Sequence, residues 1–147
     1  MSSQDGEPIE ILLAEDNPGD VKLTRKALEH GDILNNLHVV ENGVETMQFL
    51  RSEGPFAGTP MPDLLLLDLN MPKKDGRTVM EEMDDDPELR RIPVVVLTSS
   101  DAEEDIARSY ELNANAYLTK PVDFDGFVDI VTRLEDFWFT VVKMPPK

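Results

Sequence analysis

Apolar residues along the chain form short uninterrupted runs, and these alternate with longer segments in which apolar residues recur every three or four positions. Runs rich in Leu, Ile and Val are typical of strands buried on both faces of a parallel sheet. The helical spacing between the runs predicts amphipathic helices. The predicted strands cover residues 9–14, 37–40, 64–67, 92–98 and 116–119. Strands that alternate with helices in this way predict an α/β fold with a doubly wound, mostly parallel sheet.

Several helix starts are marked by residues that cap helices. Asn17 precedes Pro18, the pair expected at the N-cap and the first helical position of the first helix. Two overlapping capping-box patterns begin at Ser100 and at Asp101. Both patterns predict the start of a fourth helix, which is expected to continue toward Leu112.

Composition limits the class of protein. The 147 residues include no Cys, which excludes disulfides and thiolate zinc sites, and we interpret the two histidines, His30 and His38, as structural. One folded domain is expected over residues 9–142, with a disordered tail at residues 1–8 and a short tail at residues 143–147. The sequence has neither an apolar run of membrane-spanning length nor a signal-peptide pattern, so we expect a cytoplasmic protein with no membrane contact.

The charge balance is strongly acidic. Fourteen Lys and Arg against 30 Asp and Glu give a net charge of −16. Such a surface repels phosphate backbones, so direct binding of nucleic acid is not expected. Two interpretations of the acidity stay open: a halophile-like surface that keeps the protein soluble at high salt, which we favour, and an ordinary acidic protein that recruits a basic partner.

Polar residues stand where the predicted strands end. Glu15 and Asp16 follow the first strand, Asp68 the third, Thr98 ends the fourth and Lys120 follows the fifth. The carboxyl ends of parallel strands meet at one edge of a sheet, so these side chains are expected to converge there. Taken singly, each has an ordinary structural interpretation; Asp68, for example, could start an Asx-turn. Taken together, carboxylates that can share Mg²⁺, a hydroxyl and an ammonium group are suited to handling a phosphoryl group.

Four segments around these residues form a recognisable set of motifs. They read ILLAEDN at residues 11–17, LLDLNMPKKDG at 66–76, VVLTS at 95–99 and AYLTKP at 116–121. The set resembles the receiver domain of two-component response regulators. The resemblance implies a flavodoxin-like fold, with five helices and a five-stranded parallel sheet in the order 2-1-3-4-5. The end of the chain and the long loop before Pro62 resemble the single-domain regulators partnered with phytochrome-type histidine kinases.

The resemblance implies a role for each acidic residue at the sheet edge. Asp68 is the implied phosphoacceptor, which takes a phosphoryl group from a sensor histidine kinase. The implied ligands of Mg²⁺ (or Mn²⁺) are Asp16, Asp68 and the backbone carbonyl of Asn70, with Glu15 acting through water. The protein is not expected to be an enzyme beyond its own phosphorylation and dephosphorylation.

The resemblance also implies a conformational switch. Lys120 is expected to pair with the phosphoryl oxygens, aimed inward by a cis Lys120–Pro121 peptide bond. Thr98 is expected to donate its hydroxyl to the phosphoryl group, and Tyr117 to change rotamer as the loop after Thr98 moves. The altered surface is then the face made by the fourth helix, the fifth strand and the fifth helix. For Tyr117, a packed strand aromatic is the structural alternative.

Two other functions remain as alternatives. An aspartyl-nucleophile phosphatase of the haloacid-dehalogenase type also uses a strand-end Asp with Mg²⁺, but it needs a second Asp at the position of Asn70 to protonate the leaving group. A non-signalling adaptor that keeps the fold without the switch is the other alternative, and the intact set of five pocket residues argues against it.

The last helix has more apolar surface than one buried face requires. Asp123 is expected to cap this helix, and Phe124, Phe139 and Val142 lie off its main apolar stripe. These three residues predict a homodimer or kinase contact through the helix. Simple packing beneath the C-terminal tail is the alternative.

Overall fold

A computed structural model describes residues 8–29 and 34–133 of the chain. Residues 1–7 of the tail predicted at residues 1–8, the tail predicted at residues 143–147, His30, and the part of the last predicted helix beyond residue 133 lie outside these ranges. None of the helices in the described ranges combines the length and the apolar character needed to cross a lipid bilayer.

The described residues form five strands and five helices in strict alternation. The strands are β1 (Ile9–Ala14), β2 (Asn35–Val40), β3 (Leu64–Asp68), β4 (Val94–Thr98) and β5 (Ala116–Thr119). The helices are α1 (Pro18–Glu29), α2 (Gly43–Leu50), α3 (Gly76–Asp84), α4 (Asp101–Ser109) and α5 (Phe124–Arg133). Short 3₁₀ turns lie at Gly54–Phe56 and Leu89–Arg91.

The strands form one parallel sheet in the order β2-β1-β3-β4-β5, which confirms the predicted fold class and strand order. β3 lies at the centre, with Ala14 of β1 opposite Leu67 and Leu97 of β4 opposite Asp68. The carboxyl ends of β1, β3, β4 and β5 therefore meet at one edge of the sheet.

Each face of the sheet packs against its own set of helices, and β3 supplies leucines to both. Leu64 and Leu66 belong to the core beneath α1 and α5, while Leu65 and Leu67 belong to the core beneath α2, α3 and α4. Successive strand residues point to opposite faces, so four leucines in a row satisfy both cores. We call these two sides the α1/α5 face and the α3/α4 face.

The predicted helix caps are present. The Oδ1 atom of Asn17 accepts the Asp20 N–H at 3.0 Å, and Asp123 Oδ1 accepts the Gly126 N–H at 2.6 Å. Of the two overlapping patterns before α4, the one beginning at Ser100 forms the cap, because Ser100 Oγ accepts the Glu103 N–H at 3.1 Å.

Several element boundaries differ from the prediction: β4 begins at Val94 and not at residue 92, and β3 extends one residue further, to Asp68. α4 ends at Ser109 and does not reach Leu112, because Glu111 has a φ of 52°, which is incompatible with a continuing right-handed helix. β2 begins two residues earlier than predicted, since Asn35 and Asn36 pair with β1. The Asn36 amide also donates to Glu10 Oε2 at 2.9 Å, a contact that apolar patterning does not reveal.

Candidate functional site

Three carboxylates converge at the carboxyl edge of the sheet, at the ends of β1 and β3. One oxygen from each of Glu15, Asp16 and Asp68 lies within 4.8 Å of the others. Glu15 and Asp68 are buried, with 1% and 3% of their surface exposed, whereas Asp16 faces solvent. Close carboxylates in a poorly hydrated site repel one another, so this arrangement needs a cation.

Lys120 supplies one cation. Its Nζ atom lies 3.0 Å from Glu15 Oε1, 3.1 Å from Asp20 Oδ2 and 3.3 Å from Asp68 Oδ2. Burial alone lowers the pKa of Lys120, but hydrogen bonds to Glu15 and Asp20 and the charge of Asp68 outweigh it and raise the pKa above its ordinary value. Lys120 is therefore a fixed positive charge at the centre of the carboxylates.

The acidic residue held most deeply is Glu15. Burial raises the pKa of Glu15 to about 7, and its interaction with Asp68 adds to the rise. Hydrogen bonds from Lys120 and from the Asn17 N–H, the latter 3.1 Å from Glu15 Oε2, oppose it. One ammonium group thus only partly offsets the crowding of the carboxylates, and a second cation is still favourable.

Asp68 is held by the backbone that follows it. Its Oδ1 atom accepts the Asn70 N–H at 3.0 Å, so the Asx-turn interpretation holds alongside the contact with Lys120. Gly76 opens α3 directly behind this turn. A Cβ atom at Gly76 would lie 2.6 Å from the carbonyl oxygen of Asp68, so only glycine allows the helix to approach so closely.

Thr98 ends β4 beside these groups and differs from them in its bonding. The residue is fully buried, and its Oγ1 atom has no hydrogen-bond partner among the residues that the structure describes. The Lys120 backbone N–H donates to the Thr98 carbonyl at 2.7 Å, which ties the two strand ends together. A buried hydroxyl without a partner costs free energy, so Thr98 offers a donor that a ligand could use.

Tyr117 lies on β5 and packs against the core of the α3/α4 face. The guanidinium carbon of Arg108, on α4, lies 4.3 Å from the centre of the Tyr117 ring. Burial raises the pKa of the Tyr117 phenol, and the charge of Arg108 opposes this rise. Tyr117 thus joins β5 to α4.

Two residues of the site were missed by the sequence analysis. Asp20 attracts no notice in the sequence, since an acidic residue is ordinary in the first turn of a helix, yet it is a direct partner of Lys120. Glu103 was regarded as part of a capping box, yet its Oε2 atom accepts the Asn70 side-chain amide at 2.8 Å and its Oε1 atom accepts the Ser99 N–H at 2.9 Å. The position of Asp20, four residues after Asp16, is a sequence signal that could have placed Asp20 in the site.

The remaining predictions concern one peptide bond and three residues of the last helix. The Lys120–Pro121 peptide bond is cis. Phe124 begins α5 and is partly exposed, whereas Phe139 and Val142 lie outside the described residues.

The donor set suits a hard divalent cation. Carboxylate oxygens of Glu15, Asp16 and Asp68 are the ligands that Mg²⁺ and Mn²⁺ prefer, and the Asn70 carbonyl lies in the turn held by Asp68. Neither Cys nor a His belongs to this cluster, so a soft-metal site is not indicated.

The molecule is a doubly wound α/β domain whose central strand ends in a cluster of carboxylates around one ammonium group. The chain belongs to the response regulator receiver domain family, whose model matches residues 11–132. It is 43% identical over 145 residues to response regulator Rcp1 of Synechocystis sp., an alignment that covers 99% of each chain.

Solved structures agree with this assignment. Bacteriophytochrome response regulator RtBRR is 41% identical and has a TM-score of 0.83, covering 95% of this chain and 86% of that one. The phosphorylated cyanobacterial phytochrome response regulator RcpA is 44% identical with a TM-score of 0.74, covering 95% and 100%. The Mn²⁺-bound form of Rcp1 is 43% identical with a TM-score of 0.72, also covering 95% and 100%. The chain is a receiver domain of two-component signalling, and the carboxylates of its acidic cluster are ligands that suit a divalent cation.

Proposed function

We propose that Asp68 accepts a phosphoryl group from a sensor histidine kinase and that the chain signals through the resulting change of shape. The observation that carries the proposal is the position of the Asp68 carboxylate. It is buried beside two further carboxylates, 3.3 Å from the Lys120 ammonium group, at the sheet edge where Thr98 holds a hydroxyl without a partner. A nucleophile, positive charge and a spare donor are the groups that phosphoryl transfer requires.

The proposed reaction is a transfer between a nitrogen and an oxygen. A carboxylate oxygen of Asp68 attacks the phosphorus of a phosphohistidine, a P–O bond forms, and the P–N bond breaks. The electron pair of that bond stays on the imidazole, which takes up a proton as it leaves. In dephosphorylation, water attacks the acyl phosphate, inorganic phosphate is released and the Asp68 carboxylate returns. The chain is proposed to catalyse only these two reactions of its own.

Mg²⁺ is the proposed physiological cation. Asp16, Asp68 and the backbone carbonyl of Asn70 would hold it directly, and Glu15 would act through a water molecule. When bound, the cation neutralises charge on the transferring phosphoryl group. Support comes from the oxygen-rich cluster and from the relative Rcp1, which has a Mn²⁺-bound form.

The proposed roles of the other groups follow from their positions. Lys120 orients the phosphoryl oxygens, since its ammonium group already lies beside Asp68 Oδ2. The Thr98 hydroxyl gains its hydrogen-bond partner in the phosphorylated form, which favours an inward position of the loop after β4. Tyr117 then changes its packing and alters the face made by α4, β5 and α5.

The proposed partner is a sensor histidine kinase of the phytochrome type. Two of the similar structures, RtBRR and RcpA, are phytochrome response regulators, and their similarity extends over 95% of this chain. The net charge of −16 disfavours direct contact with nucleic acid. Contact with the kinase or with a second copy through the last helix, including Phe124, remains part of the proposal.

Acetyl phosphate with Mg²⁺ tests the phosphoacceptor assignment. The wild-type protein should gain the mass of one phosphoryl group by intact mass spectrometry, and Asp68→Asn should gain none, because an amide is not a nucleophile of this kind. Asp84→Asn, an exposed aspartate at the end of α3, is the matched control and should be labelled as the wild type is. Equal labelling of Asp68→Asn and wild type would contradict the assignment.

A further inference from the structure

Glu103 connects the two loops that flank the phosphoacceptor. It lies in the first turn of α4 and is partly buried. One carboxylate oxygen accepts the Asn70 side-chain amide at 2.8 Å, in the loop after β3, and the other accepts the Ser99 N–H at 2.9 Å, in the loop after β4. A helix cap explains the bond from the Glu103 N–H to Ser100, but it does not explain the contact with Asn70.

The two bonds complete a continuous path from Asp68 to the neighbour of Thr98. Asp68 Oδ1 accepts the Asn70 N–H, the Asn70 amide donates to Glu103, and Glu103 accepts the N–H of Ser99, which follows Thr98 directly. Both bonds made by Glu103 are charge-assisted, the stronger class of hydrogen bond in proteins. The loop that carries Thr98 is thereby fixed to the loop that follows the phosphoacceptor.

We propose that Glu103 is a positioning residue that holds the receiver in its resting form, and that phosphorylation of Asp68 weakens this hold. The inference rests on the proposed function of Asp68. A phosphoryl group adds negative charge and strong hydrogen-bond acceptors beside Asn70. The added charge repels the Glu103 carboxylate, and the new oxygens compete with it for the same donors. A contact that is stronger in the resting form than in the phosphorylated form shifts the equilibrium toward the resting form.

The position of Glu103 on α4 connects its contacts with the face made by α4, β5 and α5. The same helix carries Arg108 one and a half turns further on, and the Arg108 guanidinium lies over the Tyr117 ring. A rigid helix that is released at its first turn can change its contact with Tyr117 near its other end. A shared two-state element of this kind is the physical requirement for coupling two sites.

The first experiment measures the initial rate of phosphorylation by acetyl phosphate with Mg²⁺. Glu103→Ala removes both bonds and is expected to raise the rate about tenfold, the effect of losing one to two hydrogen bonds to a charged group. Asp105→Ala removes an exposed carboxylate from the same helix and is expected to leave the rate within about twofold of wild type, as for a screened surface charge. Glu103→Gln can still bond to both partners if the Asn70 amide turns over, with Gln Oε1 accepting the Ser99 N–H and Gln Nε2 donating to Asn70 Oδ1. Its rate should therefore lie nearer to wild type than to Glu103→Ala.

The second experiment follows Tyr117 without phosphorylation. The chain has two tyrosines, so incorporation of 3-fluorotyrosine gives two ¹⁹F resonances, assigned with Tyr110→Phe. Beryllofluoride, a phosphoryl analogue, defines the shifted position of the Tyr117 resonance in wild type. In Glu103→Ala without beryllofluoride, the resonance should move part of the way to that position, and in Asp105→Ala it should not move. A merely structural role in capping α4 would lower the melting temperature without this movement.

Each contrary result has a distinct meaning. A wild-type rate for Glu103→Ala, with normal labelling of wild type at Asp68, overturns the role of Glu103 and leaves the proposed function intact. Equal rates for Glu103→Gln and Glu103→Ala would mean that the charge of Glu103, and not its hydrogen bonds, controls the phosphorylation rate. That result also contradicts the proposal that Glu103 fixes the two loops to each other. Absence of labelling in wild type contradicts the proposed function itself.

Discussion

The two sides of the pocket around Asp68 are built differently. By the alternation of strand residues, Glu15, Asp68 and Lys120 follow the α1/α5 face, and Lys120 joins the two carboxylates by ion pairs. Thr98 follows the α3/α4 face, and its hydroxyl has no partner among the described residues. The neighbouring contacts on this side, from Glu103 to Asn70 and Ser99, involve partly exposed residues.

Under the proposed function, this difference separates two tasks within one pocket. The α1/α5 side is organised in the resting protein, because a network of buried charges tolerates little movement. The α3/α4 side has an unused donor, the Thr98 hydroxyl, and its loops are joined by the solvent-accessible hydrogen bonds of Glu103. Substitutions on the first side should therefore damage the resting protein, and substitutions on the second should change its response to phosphorylation.

The largest effect on the resting protein is expected from Lys120→Met. Without the ammonium group, the carboxylates of Glu15, Asp20 and Asp68 lose their shared partner, which should lower the free energy of unfolding by about 3 kcal/mol in the presence of EDTA. Mg²⁺ should restore part of this loss, since a bound cation offsets the same repulsion. Chemical denaturation with EDTA and with Mg²⁺ measures both effects.

Lys74→Met is the matched control for that experiment. Lys74 pairs with Glu82 at the surface, so its removal should cost at most about 1 kcal/mol and should not depend on Mg²⁺. Equal losses for the two lysine variants would contradict the view that the α1/α5 side is organised around Lys120.

Thr98→Val, unlike Lys120→Met, should not destabilise the resting protein. Replacing a buried hydroxyl that has no partner by a methyl group removes a desolvation cost, so the resting protein should be unchanged or up to about 1 kcal/mol more stable. The stabilisation that beryllofluoride gives to the wild-type protein should be smaller in this variant. Thermal denaturation with and without beryllofluoride measures the contrast.

A second buried threonine provides the comparison for Thr98. Thr46 is equally buried, but its Oγ1 atom donates to the Asn42 carbonyl at 2.8 Å. Thr46→Val should therefore destabilise the protein by about 1 kcal/mol and leave the response to beryllofluoride unchanged. If both valine variants lose the same stability, the hydroxyl of Thr98 is bonded in solution and our interpretation of it is wrong.

The smallest effect is expected from Asp20→Asn. Asp20 is partly exposed, with 27% of its side-chain surface accessible, and Lys120 keeps two buried carboxylate partners without it. The free energy of unfolding should fall by less than about 1 kcal/mol, the range of a solvent-screened ion pair. A loss as large as that of Lys120→Met, measured by the same denaturation, would show that Asp20 is an equal member of the charge network.

Much of the fold was predictable because strand and helix patterns are local. The leucine run of β3, the caps at Asn17 and Asp123, and the alternation of elements each depend on residues close in sequence. The end of α4 was missed because a left-handed residue at Glu111 stops the helix, and a glutamate carries no sequence signal for that conformation.

The site also contains residues that were predictable from the sequence and residues that were not. The charged residues at the strand ends were predictable, because topology alone brings them to one edge of the sheet. Glu103 was not, since its spacing from Ser100 already had a sufficient local explanation as a capping box. Its contact with Asn70 spans 33 positions in sequence, and no periodicity encodes a contact of that kind.

The four leucines of β3 have one more consequence. Both faces of the sheet receive two identical side chains from this strand, so hydrophobicity does not determine which way the strand faces. A shift of one residue would exchange the leucines between the two cores, yet it would turn Asp68 away from Lys120 and break the bond from the Glu10 N–H to Asp63, which directly precedes the strand. The information that fixes the orientation of the central strand therefore resides in the acidic residues at its two ends, and the residue proposed to carry the chemistry also helps to set the register of the core.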